Sequence, residues 1–147
     1  MPLYKFVLLP RLRTILFPDL MSIAHFTLAT RDVVATRDFF SETLEWKPIE
    51  RPGNVDIEGA WLRIASGQEL HLLHVADFEP SNFEKEFGRH FAVEYPLVGF
   101  SDLKQRLVSR GAELIDPIRK TPFERFFFRD LNGYIFEVVD AGRTPEV

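Results

Sequence analysis

Apolar side chains recur along this chain in a doubled pattern. Ile23-Ala24-His25-Phe26-Thr27-Leu28 is an apolar run carrying a histidine, and Arg89-His90-Phe91-Ala92-Val93 is its counterpart. Runs of this kind, with β-branched and aromatic residues, read as strands. After the first, Asp32 is a suitable helix N-cap. Val33, Val34, Arg37, Phe40, Ser41 and Leu44 then follow at helical spacing, with Phe39 and Phe40 supplying the apolar stripe. Residues 45–50 leave that helix as a short strand, with Pro48 marking an edge position. Residues 51–54 turn, 60–64 form a strand, Ser66-Gly67 turns, and 69–75 form the next strand. The first unit therefore reads β-α-β-β-β.

Residues 76–88 are polar, contain Pro80, and read as a linker with one short helical turn. The order then repeats. Residues 90–95 form a strand, Ser101 or Asp102 caps a helix over 103–110, and Gly111 ends it. Residues 112–115 form a short strand and Asp116-Pro117 a turn. The last two strands, 125–129 and 134–139, flank a tight turn at Asp130-Leu131-Asn132-Gly133, where Asn-Gly supplies positive φ.

Composition narrows the class. The 147 residues suit one domain, and 46% hydrophobic content with fifteen Phe is ample for a core. A net charge of −4 without a basic block argues against nucleic acid as a partner. With no Cys there is no disulfide, thiolate ligand or cysteine nucleophile, in keeping with a reducing cytosol. No apolar run reaches the roughly 18 residues of a membrane span. The expectation is a cytoplasmic protein without nucleic-acid or membrane partners. Residues 1–20 are apolar and basic, and prolines at 2, 10 and 18 interrupt them. They read as an extension, with Met21 opening a single domain over 21–147 built of modules 22–77 and 88–140.

Each unit also closes on a metal-capable residue within a strand: His71 in Leu70-His71-Leu72-Leu73, and Glu137 in Phe136-Glu137-Val138-Val139. The separations, 71 minus 25 and 137 minus 90, differ by one residue. Glu137 alternates with Ile135 and Val139 on a covered face. A carboxylate there needs a metal, an arginine or a proton, because its desolvation is otherwise costly. His25, His90 and Glu137 make a two-His, one-carboxylate set of the kind that suits non-haem Fe(II). For the fourth position, Glu69 and His71 share a strand face. Superposing the repeats sets His71 opposite Glu137. Glu69 is then an alternative ligand, a supporting partner or a general base. His71 as a simple pocket-lining residue is the competing reading. His74 falls on the opposite face, as a surface histidine. Arg119, Lys120 and Arg125 read as a solvated charged loop, with anionic-substrate binding as the alternative. Trp46, Trp61 and Phe126, Phe127 and Phe128 are core by default and pocket lining otherwise.

Two such units, with ligand-type residues on first and last strands, resemble the vicinal oxygen chelate superfamily. It includes glyoxalase I, extradiol dioxygenases, fosfomycin-resistance enzymes, methylmalonyl-CoA epimerase and bleomycin-resistance proteins. Residues 129–137, Arg-Asp-Leu-Asn-Gly-Tyr-Ile-Phe-Glu, look like the family's closing turn and metal-bearing strand, with Leu131 in place of the usual Pro. Residues 38–44 look like its Phe-Tyr…Leu-Gly helix end, with Glu45 replacing the Gly. The resemblance covers roughly 22–140. It implies an α+β fold, two βαβββ modules forming a half-open barrel around one metal site. It implies a divalent metal (Zn, Ni, Co, Mn or Fe) on His25, His71, His90 and Glu137, a small-molecule substrate with adjacent oxygens, and a homodimer that can exchange modules. Glu137, Glu69 and His71 are then the catalytic candidates. A lyase or isomerase is the reading favoured, with an extradiol-type dioxygenase or a metal-free ligand-sequestering protein as alternatives. A chain starting at Met21 is expected to melt within a few degrees of the full one, which calorimetry of both tests.

Overall fold

The computed structural model describes residues 22–144. The extension at 1–20 lies outside them. Eight strands and two helices follow in order: β1 His25–Thr30, α1 Val33–Thr43, β2 Lys47–Ile49, β3 Gly59–Ala65, β4 Gln68–His74, β5 His90–Tyr95, α2 Phe100–Ser109, β6 Glu113–Ile115, β7 Arg125–Arg129 and β8 Ile135–Asp140. They make two four-stranded sheets of identical plan, β1-β4-β3-β2 and β5-β8-β7-β6. In each, the first strand pairs parallel with the last and the other pairings are antiparallel. This is the expected doubled βαβββ architecture. None of the described helices is long and apolar enough to cross a membrane.

Period-two alternation splits each sheet into two faces. The face of even-numbered residues carries Leu28, Leu62, Leu70 and Leu72 in the first module and Phe126, Phe128, Phe136 and Val138 in the second, all buried. These pack with Phe39, Phe40, Leu103 and Leu107 of the helices into one core. Phe136 sits at its centre, with its ring against those of Phe26, Phe40, Trp46, Phe91 and Phe128. Fully burying side chains of this size contributes roughly 1.5–3 kcal/mol each. The odd-numbered face mixes buried Trp61, Phe127, Ile135 and Val139 with polar groups, and every candidate ligand lies on it except the even-numbered His90, whose strand β5 has the opposite parity.

The ends of α1 follow local chemistry. Asp32 caps it, its carboxylate accepting from the Ala35 N–H at 2.8 Å. Leu44 closes it, and Glu45 takes φ 61°. That is the left-handed position where the family resemblance places glycine, and a residue with a Cβ is strained there. Helix α2 departs from expectation. It starts at Phe100, and neither Ser101 nor Asp102 caps it; Gly99 holds the cap without a side-chain bond. A 3-10 turn over Leu97–Gly99 feeds directly into the helix. Burial of Phe100 against Phe126 draws the start forward. A Cβ on Gly99 would meet the Tyr95 ring at 2.6 Å, so any larger residue there must displace that ring. At the other end Gly111, φ 92°, completes a Schellman closure, Ala112 N–H donating to Leu107 O at 2.9 Å.

The turn between β7 and β8 joins the modules. Only Gly133 of the Asn-Gly pair has positive φ. Asn132 instead turns its amide toward the first module, donating to Thr36 Oγ1 at 3.1 Å and accepting from Thr30 Oγ1 at 2.8 Å. The Tyr134 hydroxyl accepts from Ala29 N–H at 3.0 Å and donates to Ala29 O at 3.1 Å. Asp130 organises this turn from below, its Oδ1 accepting N–H bonds from Asn132 and Tyr134.

Burial pushes the Asp130 carboxyl up to about 6, against the opposing effect of those N–H donors. Its folded pKa thus exceeds the unfolded one, so its protonation favours the folded state. That contribution is complete below about pH 4 and is lost as pH rises through about 6. Asp130→Asn keeps the Oδ1 acceptor and removes the titration. The variant's melting temperature relative to the native chain should be higher at pH 7 than at pH 4. An equal difference at both pH values in calorimetry contradicts the assignment.

Candidate metal and ligand site

Parallel register explains how each module presents its candidates. In the first, His25 pairs with Glu69 and Thr27 with His71. In the second, His90 pairs with Ile135 and Ala92 with Glu137. His71 is therefore the structural counterpart of Glu137, and Glu69 the counterpart of Ile135. The antiparallel neighbours correspond too, with Trp61 across from His71 and Phe127 across from Glu137.

The first half-site is a stack. The His71 ring lies between His25, centroids 4.2 Å apart, and Trp61, 4.5 Å away. Its Nε2 meets Glu69 Oε2 at 3.0 Å. With that N–H donating to the carboxylate, Nδ1 is left on the far side of the ring. The His71 hydrogen bond holds the Glu69 carboxyl below the usual carboxylate range, outweighing burial, with further help from the charges of His71, Arg63 and His25. Trp61, read from the sequence as core, is thus the platform of this half-site. Trp46 does join the core. His74 is half-buried at the end of β4 rather than on the open surface.

The second half-site pairs His90 with Glu137. His90 Nδ1 lies 3.1 Å from Gly88 O, so its N–H donates there. Its Nε2 faces Glu137 Oε2 at 3.5 Å. A shared proton or a cation satisfies both atoms in this relation. A backbone carbonyl holding the far nitrogen is also a common way of orienting a metal-binding histidine. The other Glu137 oxygen, Oε1, accepts from Arg125 Nη1 at 2.8 Å. The ring of Phe127 stands edge-on to His90. Phe126 and Phe128 belong to the core face.

Arg125 overturns its reading as part of a solvated loop. It lies in β7 and is 8% exposed, whereas Arg119 and Lys120 are exposed as expected. Its Nη2 donates to Arg119 O at 2.6 Å and to Glu86. Glu86, 5% exposed, also accepts from the Ile118 and Arg119 N–H groups, the latter at 3.1 Å. Burial raises the Glu86 pKa, but Ile118, Arg125 and Arg119 together outweigh it and leave the carboxyl below its ordinary value. Burial likewise opposes the Arg125 charge, and Glu137 and Glu86 more than restore it. Sequence reasoning missed Glu86 because nothing in a polar linker signals which acid turns inward.

The four proposed ligands thus stand as two pairs. Among the described residues no group of three or more His, Cys, Asp or Glu side chains is disposed to hold a metal ion. The donors fit a divalent cation in kind, three imidazoles and a carboxylate, but they do not converge within one chain. A crevice of about 330 Å³ runs along the seam of the modules, lined by Thr27, Arg89, Phe91, Tyr134 and Ile135 among others. None of the four candidate ligands lines this space, although Thr27 and Ile135, which do, are the register partners of His71 and His90. Replacing Arg125 by Met should destabilise the fold by roughly 3–5 kcal/mol, since Glu86 and Glu137 lose their buried cation. Chemical denaturation measures this, and a loss below about 1 kcal/mol would show that the pair is held by other means.

Known proteins agree with this geometry. A family model described as the Glyoxalase/Bleomycin resistance protein/Dioxygenase superfamily matches residues 22–138. Glyoxylase I 4 of Arabidopsis thaliana is 25% identical over 136 residues, covering 87% of this chain and 75% of that protein. Among solved structures, a glyoxylase/bleomycin resistance protein/dioxygenase domain from Frankia sp. EAN1pec superposes with TM-score 0.64 at 23% identity, over 85% of this chain and 96% of that one. A Glu-to-Gln variant of the fosfomycin resistance protein FosX from Listeria monocytogenes, complexed with Mn(II) and 1S,2S-dihydroxypropylphosphonic acid, superposes with TM-score 0.65 at 18% identity, over 80% and 88%. With matching modules, register and a family match across most of its length, the chain belongs to the glyoxalase/bleomycin resistance/dioxygenase superfamily, the vicinal oxygen chelate proteins.

Proposed function

We propose that this protein is a metal-dependent enzyme of lyase or isomerase type, acting on a small molecule with two adjacent oxygens. In this reading His25 and His71 of one module and His90 and Glu137 of another hold one divalent ion. The halves meet across a homodimer, which supplies the convergence that the single chain lacks. The observation carrying the proposal is the second half-site: an imidazole nitrogen and a carboxylate oxygen face each other at 3.5 Å, each side chain anchored from behind by Gly88 O or Arg125. The FosX relative bound to Mn(II) supports a divalent ion. When bound, such an ion supplies Lewis-acid stabilisation of negative charge on neighbouring substrate oxygens. Glu69, held ionised by His71, is placed to accept a proton beside the first half-site. Thr27, Phe91 and Tyr134 line the space for the substrate body.

One observation favours a second reading, a metal-free protein that binds a small ligand. Arg125 already neutralises Glu137, so the carboxylate does not require a metal for charge balance.

Metal analysis of purified protein separates the two. One ion per chain is expected in the native protein and none in Glu137→Gln. His71→Ala should weaken metal binding by about 10-fold or more, and Glu69→Ala by less. Full metal content in Glu137→Gln overturns the metal reading. Mixing a His25→Ala/His71→Ala chain with a Glu137→Gln chain tests the assembly. Hybrid dimers recover one intact site if halves meet across chains. No recovery on mixing overturns that arrangement. Turnover of a hemithioacetal, or of fosfomycin with a thiol, lost on chelation, then identifies the reaction class.

A further inference from the structure

The linker between the modules buries the wrong kind of residue. Glu86 is 5% exposed, whereas its neighbours Phe83 and Phe87 are 82% and 76% exposed. Hydrophobic burial alone favours the reverse arrangement. Something specific draws the carboxylate inward, and the contacts identify it. The Ile118 and Arg119 N–H groups and the Arg125 guanidinium all point at the Glu86 oxygens. Two adjacent backbone donors with a buried arginine form a concave anion cradle.

Glu86 does not use this cradle fully. Arg125 Nη1 goes to Glu137, and Nη2 goes to Glu86 and Arg119 O. Arg125 Nε is buried and has no hydrogen-bond partner among the described residues. The strongest arginine–carboxylate geometry is the two-bond fork. Glu86, tethered to the linker, reaches one prong only. An untethered carboxylate can turn to engage Nε–H as well. Glu86 is not the linker's single anchor. Arg129 also holds the linker through Ser81 O at 3.2 Å and Glu84 O at 2.9 Å.

We propose that the Ile118–Arg119–Arg125 cradle is a binding site for a small-molecule carboxylate, filled in this structure by the chain's own Glu86. The site adjoins the His90–Glu137 pair through Arg125, which bonds both carboxylates. A ligand carboxylate seated there lies one side chain from the second half-site. The tether gives Glu86 a high effective concentration, so a simple monocarboxylate competes poorly in the native chain. A ligand that also engages the neighbouring half-site has the additional binding needed to displace it. The assignment concerns donors of the chain alone and holds whether or not a metal is bound, so its test is run on metal-free protein.

The test is acetate rescue of Glu86→Ala. Removing the side chain empties the cradle while Arg129 keeps the linker in place and Glu137 keeps Arg125 paired. The variant should melt several degrees below the native chain. Acetate should raise its melting temperature saturably and recover most of the loss, whereas chloride at equal ionic strength should not. The native chain should respond to neither. In ¹H–¹⁵N spectra the Ile118 and Arg119 amides of the variant should shift with acetate along the same curve. Should Glu86→Ala fail to fold, Glu86→Gln preserves the shape without the charge, and the same two amides should shift saturably with acetate. Equal responses to acetate and chloride, equal responses of native and variant chains, or shifts confined to other residues overturn the proposal.

Discussion

Each sheet has one face that must leave water and one helix to cover it, and the rest of the structure follows from that division. Strand alternation commits Leu70, Leu72, Phe136 and Val138 to the helix-covered core. It thereby commits their neighbours Glu69, His71 and Glu137 to the opposite face. A change of one residue in register would carry carboxylates into the aromatic cluster around Phe136 and apolar residues onto the site face. The burial that stabilises the modules therefore also decides where chemistry can occur.

The two site faces solve the problem of polar burial differently. In the first module the answer is local. His71 stacks between His25 and Trp61 and bonds Glu69, two residues away on the same strand. In the second the answer is long-range. Glu137 depends on Arg125 from the adjacent strand, and Arg125 depends in turn on Glu86 from the linker. Two carboxylates share one guanidinium, and backbone N–H groups carry the remaining negative charge. This arrangement leaves Glu137 Oε2 facing His90 and leaves Arg125 Nε without a hydrogen-bond partner among the described residues.

Duplication connects these features to function. Each module offers two donors at equivalent register positions, and neither module offers three. On the proposed reading, a centre built from such halves is complete only when complementary modules face one another, and activity would then depend on association as well as on folding. The turn at 130–134 ties the modules of one chain together through Asn132 and Tyr134, in addition to the core they share around Phe136.

Local signals were sufficient for the architecture. The repeated strand-helix-strand order, the Asp32 cap, the Gly111 helix end and the shared face of Glu69 and His71 are properties of neighbouring residues. They are legible because strand and helix periodicity are local. The repeat also made His71 the partner of Glu137 by simple superposition, and the parallel register agrees. Other features lay beyond reach because they arise between distant segments. Nothing local places Phe100 against Phe126, which moves the start of α2 ahead of Ser101 and Asp102. Nor does it turn Arg125 inward, since its partners are 39 and 12 residues away in sequence. The linker's composition gives Glu86 no more claim to burial than Glu84. Only tertiary packing decided which acid meets Arg125, because a buried charge is tolerated only where its counter-charge and hydrogen bonds converge.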